Sequence, residues 1–361
     1  MAPSVLEAMQ PYWATHFLLP GQEHPNAQAI GEAMEHAREG LALLAGCDPF
    51  EIVFTDGGTS ANNLAILGQL QTQQPGHLLV SVLEHESVHA AAAHLGSKGW
   101  HIETFPCSVD GVIDPDHVAS KMRDDTRLVC LQAANPVLGT IQPVRELADL
   151  CHRRGISLHC DATQMFGKLP VDVEQLRADT VSISGHKFYG PKGTGAVYVR
   201  RGLQLAPIQY GEPREMGLQS GAGNVPGYIG IGAAASLASR CSGDVADNLT
   251  EVRERLIEGL RAVVQPLPIA LCEDAPRLPN TVAIEMPGEA KRLQRSARQL
   301  VMATARSNDP PDAITRVLRA IGRTDSQIGR TLCISLGWTT SRDQVDRSVE
   351  MLAEAWDGLA G

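Results

Sequence analysis

The sequence predicts an α/β fold built on a mainly parallel sheet. Short apolar runs of strand length recur at 51–55, 77–83, 128–133, 156–160, 180–183 and 196–199. Helical segments lie among them at 64–70, 86–95, 144–153 and 173–177. Buried strands that alternate with helices are joined by crossovers, which leave neighbouring strands parallel. Polar, Gly-punctuated clusters follow four of these runs, and strand ends are where α/β proteins present functional groups.

Taken in order, residues 3–18 read as an amphipathic segment anchored by Tyr12, Trp13 and Phe17, and broken by Pro20, Gly21 and Pro25. Residues 26–44 have helical Ala/Ile/Leu spacing and stop near Gly46. Beyond 220–224, one helix is expected over 230–239 and another over 247–264. From about residue 266 onward, strands at 281–285 and 331–335 and helices at 313–321 and 343–356 read as a smaller α+β domain. The expected division is an N-terminal segment, 1–20, that packs with the small domain, a large domain over 21–240, and a small C-terminal domain over 241–361. A chain of 361 residues accommodates that arrangement.

A net charge of −10, with no Lys/Arg block, argues against a nucleic-acid partner. No apolar run reaches membrane-spanning length, and the first residues lack a signal-peptide pattern. The eight cysteines form no C-x-x-C pair, and several fall inside apolar runs. That usage fits a reduced, cytoplasmic protein better than a disulfide framework.

Lys187 is the residue that needs explaining. It stands in Ser184-Gly-His-Lys187, between two strand-like runs. A lysine at a strand end forms a Schiff base when its amine is kept deprotonated, but an exposed loop lysine reads the same on this stretch alone. Two other motifs fail. His85-Glu-Ser-Val-His89 matches the zinc pattern H-E-x-x-H, yet His85 directly follows a strand and no third ligand sits at the right spacing, so no metal is expected. Gly185–Gly190 opens like a phosphate loop, but Pro191 stands where lysine is required.

Four clusters then ask for one explanation: Gly57-Gly58-Thr59, His85, Asp161-Ala-Thr-Gln164 and Ser184-Gly-His-Lys187. Pyridoxal 5′-phosphate answers all of them. Its phosphate wants backbone N–H groups and hydroxyl and imidazole donors, its ring nitrogen a carboxylate, its aldehyde a lysine, and its ring face a flat cover. Through 51–63 (EIVFTDGGTSANN), 84–88 (EHESV), 159–169 (HCDATQMFGKL) and 182–200 (SISGHKFYGPKGTGAVYVR) the chain resembles the cysteine desulfurase branch of the class V aminotransferases. Weaker matches follow at 317–322 and 335–337, so the resemblance covers nearly the whole chain.

The resemblance implies a fold-type-I, pyridoxal-phosphate-dependent transferase fold with a mainly parallel seven-stranded sheet, a small C-terminal α+β domain, a homodimer, and a small amino-acid-like substrate. It implies that Lys187 carries the internal aldimine, Asp161 pairs the ring nitrogen, and Gln164 bonds the ring hydroxyl. His85 would stack on the ring, and Gly58, Thr59, Ser184 and His186 would hold the phosphate.

The substrate side departs from the family. The loop cysteine that carries the persulfide is replaced by Ser307, and a hydroxyl cannot take that role. The arginine that clamps the substrate carboxylate is Cys333, with Arg306, Arg316 and Arg330 as candidate replacements. The neighbour-subunit threonine is Ala222, an arginine beside it is Gln219, and an asparagine near the ring hydroxyl is Pro136, next to Asn135. The family's N-terminal Asp-Asn-Ala-Ala-Thr-Thr-Pro stretch has no counterpart. Three readings follow: a lyase or transferase acting through Lys187 without the persulfide route, a degenerate cofactor-fold binding protein, or a true desulfurase using Cys333 or another thiol.

Overall fold

A computed structural model describes residues 1–306 and 311–360. The chain divides into two units. The first comprises Met1–Phe105, Pro115–Ala133 and Pro143–Ser242; the second comprises Pro106–Asp114, Ala134–Gln142 and Gly243–Gly361.

The first unit is built on a seven-stranded sheet. Its strands are β1 (Ile52–Thr55), β2 (His77–Ser81), β3 (His101–Phe105), β4 (Thr126–Cys130), β5 (Ser157–Asp161), β6 (Thr180–Ser184) and β7 (Gly195–Val199), in the spatial order β1-β7-β6-β5-β4-β2-β3. The five strands from β6 to β3 pair in parallel, as the strand–helix alternation requires. β7 pairs antiparallel to β6 and to β1. Residues of β1, β2, β5 and β6 are buried on both faces, which gives those strands their continuous apolar runs. β3 escaped the sequence reading for the opposite reason: it is an edge strand whose first four residues are not buried.

Two further expectations change. The segments expected as separate helices after residue 230 form one 39-residue helix, Val225–Val263, that continues through Gly243. A glycine inside a helix costs only about 1 kcal/mol relative to alanine, which a long helix absorbs. The N-terminal segment breaks into helices Pro3–Met9 and Pro11–Ala14, and Trp13 and Phe17 are 63% and 73% exposed, so they do not anchor it in this chain. The buried Val5 and Met9 hold it instead, with Ala2 N–H donating to Tyr189 O at 3.0 Å. Residues 1–20 are part of the first unit.

The second unit carries an antiparallel four-stranded sheet of Ile269–Ala270, Thr281–Glu285, Thr331–Ser335 and Ala303–Thr304. Its core includes Leu256, Leu260, Val282, Ile284, Leu332, Val345 and Val349. None of the described helices is long and apolar enough to cross a membrane.

Candidate active site

Four strands running the same way deliver the candidate residues to one edge of the sheet. β2, β5 and β6 run parallel, and β1, antiparallel to β7, runs with them. Gly57–Thr59 follow β1, His85 follows β2 by a short turn, Gln164 follows β5, and Lys187 follows β6. Asp161 and Ser184 are themselves the last residues of β5 and β6.

Asp161 is 5% exposed and held from both sides. Its Oδ1 accepts from Thr163 N–H at 3.0 Å and Thr163 Oγ1 at 2.7 Å, and its Oδ2 accepts from Asn62 Nδ2 at 2.8 Å. A carboxylate has about four acceptor sites, so Asp161 keeps capacity for one more donor. Behind it lies a buried chain. His159 Nε2 is 3.0 Å from Asn62 Oδ1, and His159 Nδ1 is 2.9 Å from Thr180 Oγ1. Burial pushes His159 down to about 4 against the pull of Asp161, so the ring is neutral. With Asn62 Nδ2 donating to Asp161, its Oδ1 must accept; His159 thus carries its proton on Nε2, an assignment fixed by the network.

The same asparagine ties in His85. Asn62 Nδ2 also donates to Ser87 Oγ at 2.9 Å, and Ser87 Oγ lies 2.8 Å from His85 Nδ1. His85 is the N-cap of helix Glu86–Gly96, and its Nδ1 accepts from Ser87 N–H at 3.1 Å. That nitrogen is therefore spent on the helix start. Among the described residues, the His, Cys, Asp and Glu side chains close enough to share an ion are His77, His101 and Glu103, outside the H-E-x-x-H match.

Lys187 sits on a single 3₁₀ turn, Gly185–Phe188. Fully buried Phe188 fastens the turn, Gly185 N–H donates to Thr194 O at 3.0 Å, and Gly190 N–H returns to Gly185 O at 2.8 Å. Gly185 is required by close approach, because a Cβ there would lie 2.8 Å from Thr194 Oγ1. Lys187 is partly buried; burial pushes its ammonium below the usual lysine range, and the charge of Asp161 offsets part of that. Its amine is thus more available as a nucleophile than an ordinary lysine's.

The remaining candidates meet at the start of helix Gly58–Leu70. Gly57, with φ of 134°, caps it without a side chain. A Cβ on Gly58 would meet Thr163 Cγ2 at 3.0 Å and Ser184 Cβ at 3.3 Å, so glycine lets the helix start, the Asp161 turn and the end of β6 converge closely. Thr59, the next residue, is exposed on that first turn. Ser184 Oγ is 3.1 Å from His186 Nδ1, and burial together with the charges of Lys187, Lys192 and Lys168 pushes His186 below its usual value. Backbone amides, a hydroxyl and an imidazole that meet there suit a phosphate. A carboxylate with spare acceptor capacity suits a protonated ring nitrogen. These residues fit pyridoxal phosphate.

Gln164 is present too, but its Oε1 accepts from Lys168 Nζ at 2.8 Å. Lys168 was missed in the sequence, as were Asn62, Ser87, Thr163 and His159. A lysine in an apolar run and an asparagine one turn into the Gly58 helix were the available signals. The substrate candidates belong to the second unit. Cys333 pairs in register with Ala283 and Ala303, and burial and the charge of Asp312 push its thiol up to about 12. Ser307 lies outside the described residues. Arg330 is committed to Glu285 at 2.7 Å, and Asn135 Oδ1 is spent on the Val137 and Leu138 amides.

The sequence profile of the family described as Aminotransferase class-V matches residues 1–296. The chain belongs to that family. It is 36% identical over 354 residues to the cysteine desulfurase IscS 1 of Archaeoglobus fulgidus, covering 96% of this chain and 92% of the relative. It is 32% identical over 364 residues to the human cysteine desulfurase, covering 96% and 78%. Among solved structures, a NifS-like protein superimposes with a TM-score of 0.92 at 28% identity, covering 99% of this chain and 96% of the other. SspA in complex with cysteine gives 0.81 at 30% identity, covering 93% and 95%. Membership makes the protein a pyridoxal-phosphate-dependent enzyme without choosing among the family's reactions.

Proposed function

We propose that this enzyme binds pyridoxal phosphate through Lys187 and acts on an amino acid or related amine by elimination or group transfer, without a persulfide on a loop cysteine. The observation that carries the reading is Lys187 on the turn after β6, its ammonium pushed below the usual lysine range by burial, with a buried, firmly held Asp161 at the end of the neighbouring strand β5. Bound, the cofactor supplies an aldehyde carbon for an amine to join and a ring that accepts electrons. Asp161 accepts the hydrogen bond of the ring nitrogen and keeps it protonated. Gly58, Thr59, Ser184 and His186 grip the phosphate, Gln164 donates to the ring hydroxyl, and His85 covers the ring. Lys187 is both the amine that holds the cofactor and the base that removes a proton from the substrate.

Ser307 at the family's cysteine position supports a direct release of sulfur or another leaving group. So do the described thiols, every one of which is held protonated by burial. Cysteine is the first substrate to try, since the relative SspA was solved with it. The homodimer is part of the same reading. Residues 220–223, including Ala222, border an open groove of about 700 Å³ where the apolar Phe50 and Met216 are 79% and 57% exposed.

The test is the absorption spectrum of the purified protein with pyridoxal phosphate, followed by sulfide and alanine assays with cysteine. A visible band that disappears in Lys187→Ala supports the reading. Colourless protein that takes up no cofactor overturns it in favour of a degenerate binding protein. Alanine made through an enzyme-bound persulfide overturns the proposed route.

A further inference from the structure

Lys168 is 7% exposed, and among the described residues it forms no ion pair. Its ammonium instead donates to two oxygens of one residue, Gln164 O and Gln164 Oε1, both at 2.8 Å. A buried lysine without a carboxylate is expensive to keep charged, and burial together with the charge of Lys187 pushes Lys168 down to about 7. The charged groups that act on this corner are Lys187 and His186 on the turn after β6, Lys192 beyond it, and Asp161 at the end of β5. A charge placed against another charge, at such cost, asks for a reason beyond packing.

The geometry supplies one. In its charged form, which prevails below about 7, Lys168 has three donors and no acceptor, so the Gln164 atom facing it is then the amide oxygen. The main-chain contact fixes the lysine, and the lysine then fixes the amide plane. Both hydrogens of Gln164 Nε2 are left directed away from Lys168. We infer that Lys168 is a positioning residue of the cofactor site: held by the Gln164 main-chain oxygen, it locks the Gln164 amide so that its N–H group faces the ring hydroxyl. The inference rests on the reading of the site as a pyridoxal-phosphate site.

The two effects act in one direction. A fixed donor on the ring oxygen stabilises its anionic form, and Lys168, in the pH range where it is charged, disfavours a proton on the Lys187 nitrogen. Both make the bound cofactor give up its proton at lower pH. In Lys168→Met the amide is free to turn and the charge is gone. The pH midpoint of the bound cofactor's absorption change then rises by about one unit, a tenfold change in proton affinity. Lys168→Arg, which keeps the charge and a donor, stays near the wild-type midpoint. In a Gln164→Leu background the Lys168→Met shift shrinks, because the part exerted through the amide has already been removed.

The experiment is a spectroscopic pH titration of the loaded wild type, Lys168→Met, Lys168→Arg and the double variant, with thermal melting in parallel. Borohydride trapping and peptide mapping identify the lysine that holds the cofactor. A wild type that takes up no pyridoxal phosphate, or a label on Lys168, overturns the site reading and this inference with it. A wild type labelled on Lys187, with Lys168→Met melting lower but titrating at the wild-type midpoint, overturns this inference alone and leaves Lys168 a packing residue. Should Lys168→Met give no soluble protein, Lys168→Gln removes the charge while keeping a neutral donor, and an unmoved midpoint there has the same consequence.

Discussion

Asn62 donates one amide to two acceptors, Asp161 Oδ2 at 2.8 Å and Ser87 Oγ at 2.9 Å, while its oxygen faces His159 Nε2 at 3.0 Å. One side chain thereby sets the orientation of the carboxylate and of the helix cap that carries His85. Asn62→Ala leaves the His159 N–H buried without its acceptor and Asp161 short of a donor, at a cost of about 1–3 kcal/mol. The expected result is a lower thermal midpoint and a roughly tenfold loss of pyridoxal-phosphate affinity, read by titrating apoprotein with cofactor. Asn62→Asp keeps the shape but turns the donor into an acceptor, and it weakens binding further. Unchanged affinity in both variants would show that Asp161 is held by Thr163 alone.

His159 predicts a pH dependence of stability. Burial lowers its folded value from 6.5 to about 4. Between those values the unfolded chain binds a proton that the folded chain refuses, so stability falls as pH drops from about 6.5 toward 4 and levels off below. The loss from this one group is on the order of a few kcal/mol. Urea denaturation at intervals across that window measures it. His159→Gln, neutral at every pH, flattens the slope there even if the variant starts less stable.

Much of this arrangement was legible in the sequence, for a physical reason. Strands buried on both faces must be apolar throughout, so β1, β2, β5 and β6 announced themselves, and the polar residues at their ends stood out. Asp161, Ser184 and Lys187 were visible that way, and the resemblance assigned their roles. The edge strand β3 carries no such run. The helix Val225–Val263 was cut in two because a glycine outweighs its flanks locally but not over so long a helix. Asn62 and Lys168 were hidden because their chemistry depends on partners 99 residues away in one case and on burial in the other. Spacing along the chain reports neither.

A second buried pair predicts the stability of the β1 edge. Arg38 Nη1 and Nη2 grip Glu215 at 2.7 and 2.9 Å, Nη1 also donates to Ile52 O at 2.7 Å, and Glu215 Oε2 accepts from Phe54 N–H at 2.9 Å. The guanidinium also lies 4.6 Å from the Phe54 ring centroid. The two side chains are 8% and 7% exposed, so removing Arg38 strands Glu215, while removing Glu215 leaves Arg38 with only the 61% exposed Glu35, 3.1 Å from its Nε. Glu215→Ala is expected to cost about 3–5 kcal/mol in urea denaturation. Arg38→Met combined with Glu215→Leu costs less than the sum of the single changes, since the one charge left without a partner, Glu35, is exposed to water. A cost below about 1 kcal/mol for Glu215→Ala would mean that water reaches the pair.

The thiols give the prediction that bears most directly on the reaction. Burial pushes Cys47, Cys151 and Cys333 up to about 12 and Cys272 to about 11, and it raises Cys107, Cys130 and Cys160 as well. Only the thiolate attacks sulfur, and a thiol with such a value is ionised in roughly one molecule in ten thousand or fewer near neutral pH. These cysteines are therefore expected to react slowly with a disulfide reagent in the folded protein and at the normal rate after denaturation. Cys333→Ala retains sulfide release from cysteine, and mass spectrometry during turnover finds no added sulfur on any of the seven. If Cys333→Ala abolishes sulfide release and the wild type carries a persulfide there, substrate binding must open that strand enough to ionise the thiol. The chain would then be a desulfurase that moved its sulfur carrier from the loop to the sheet.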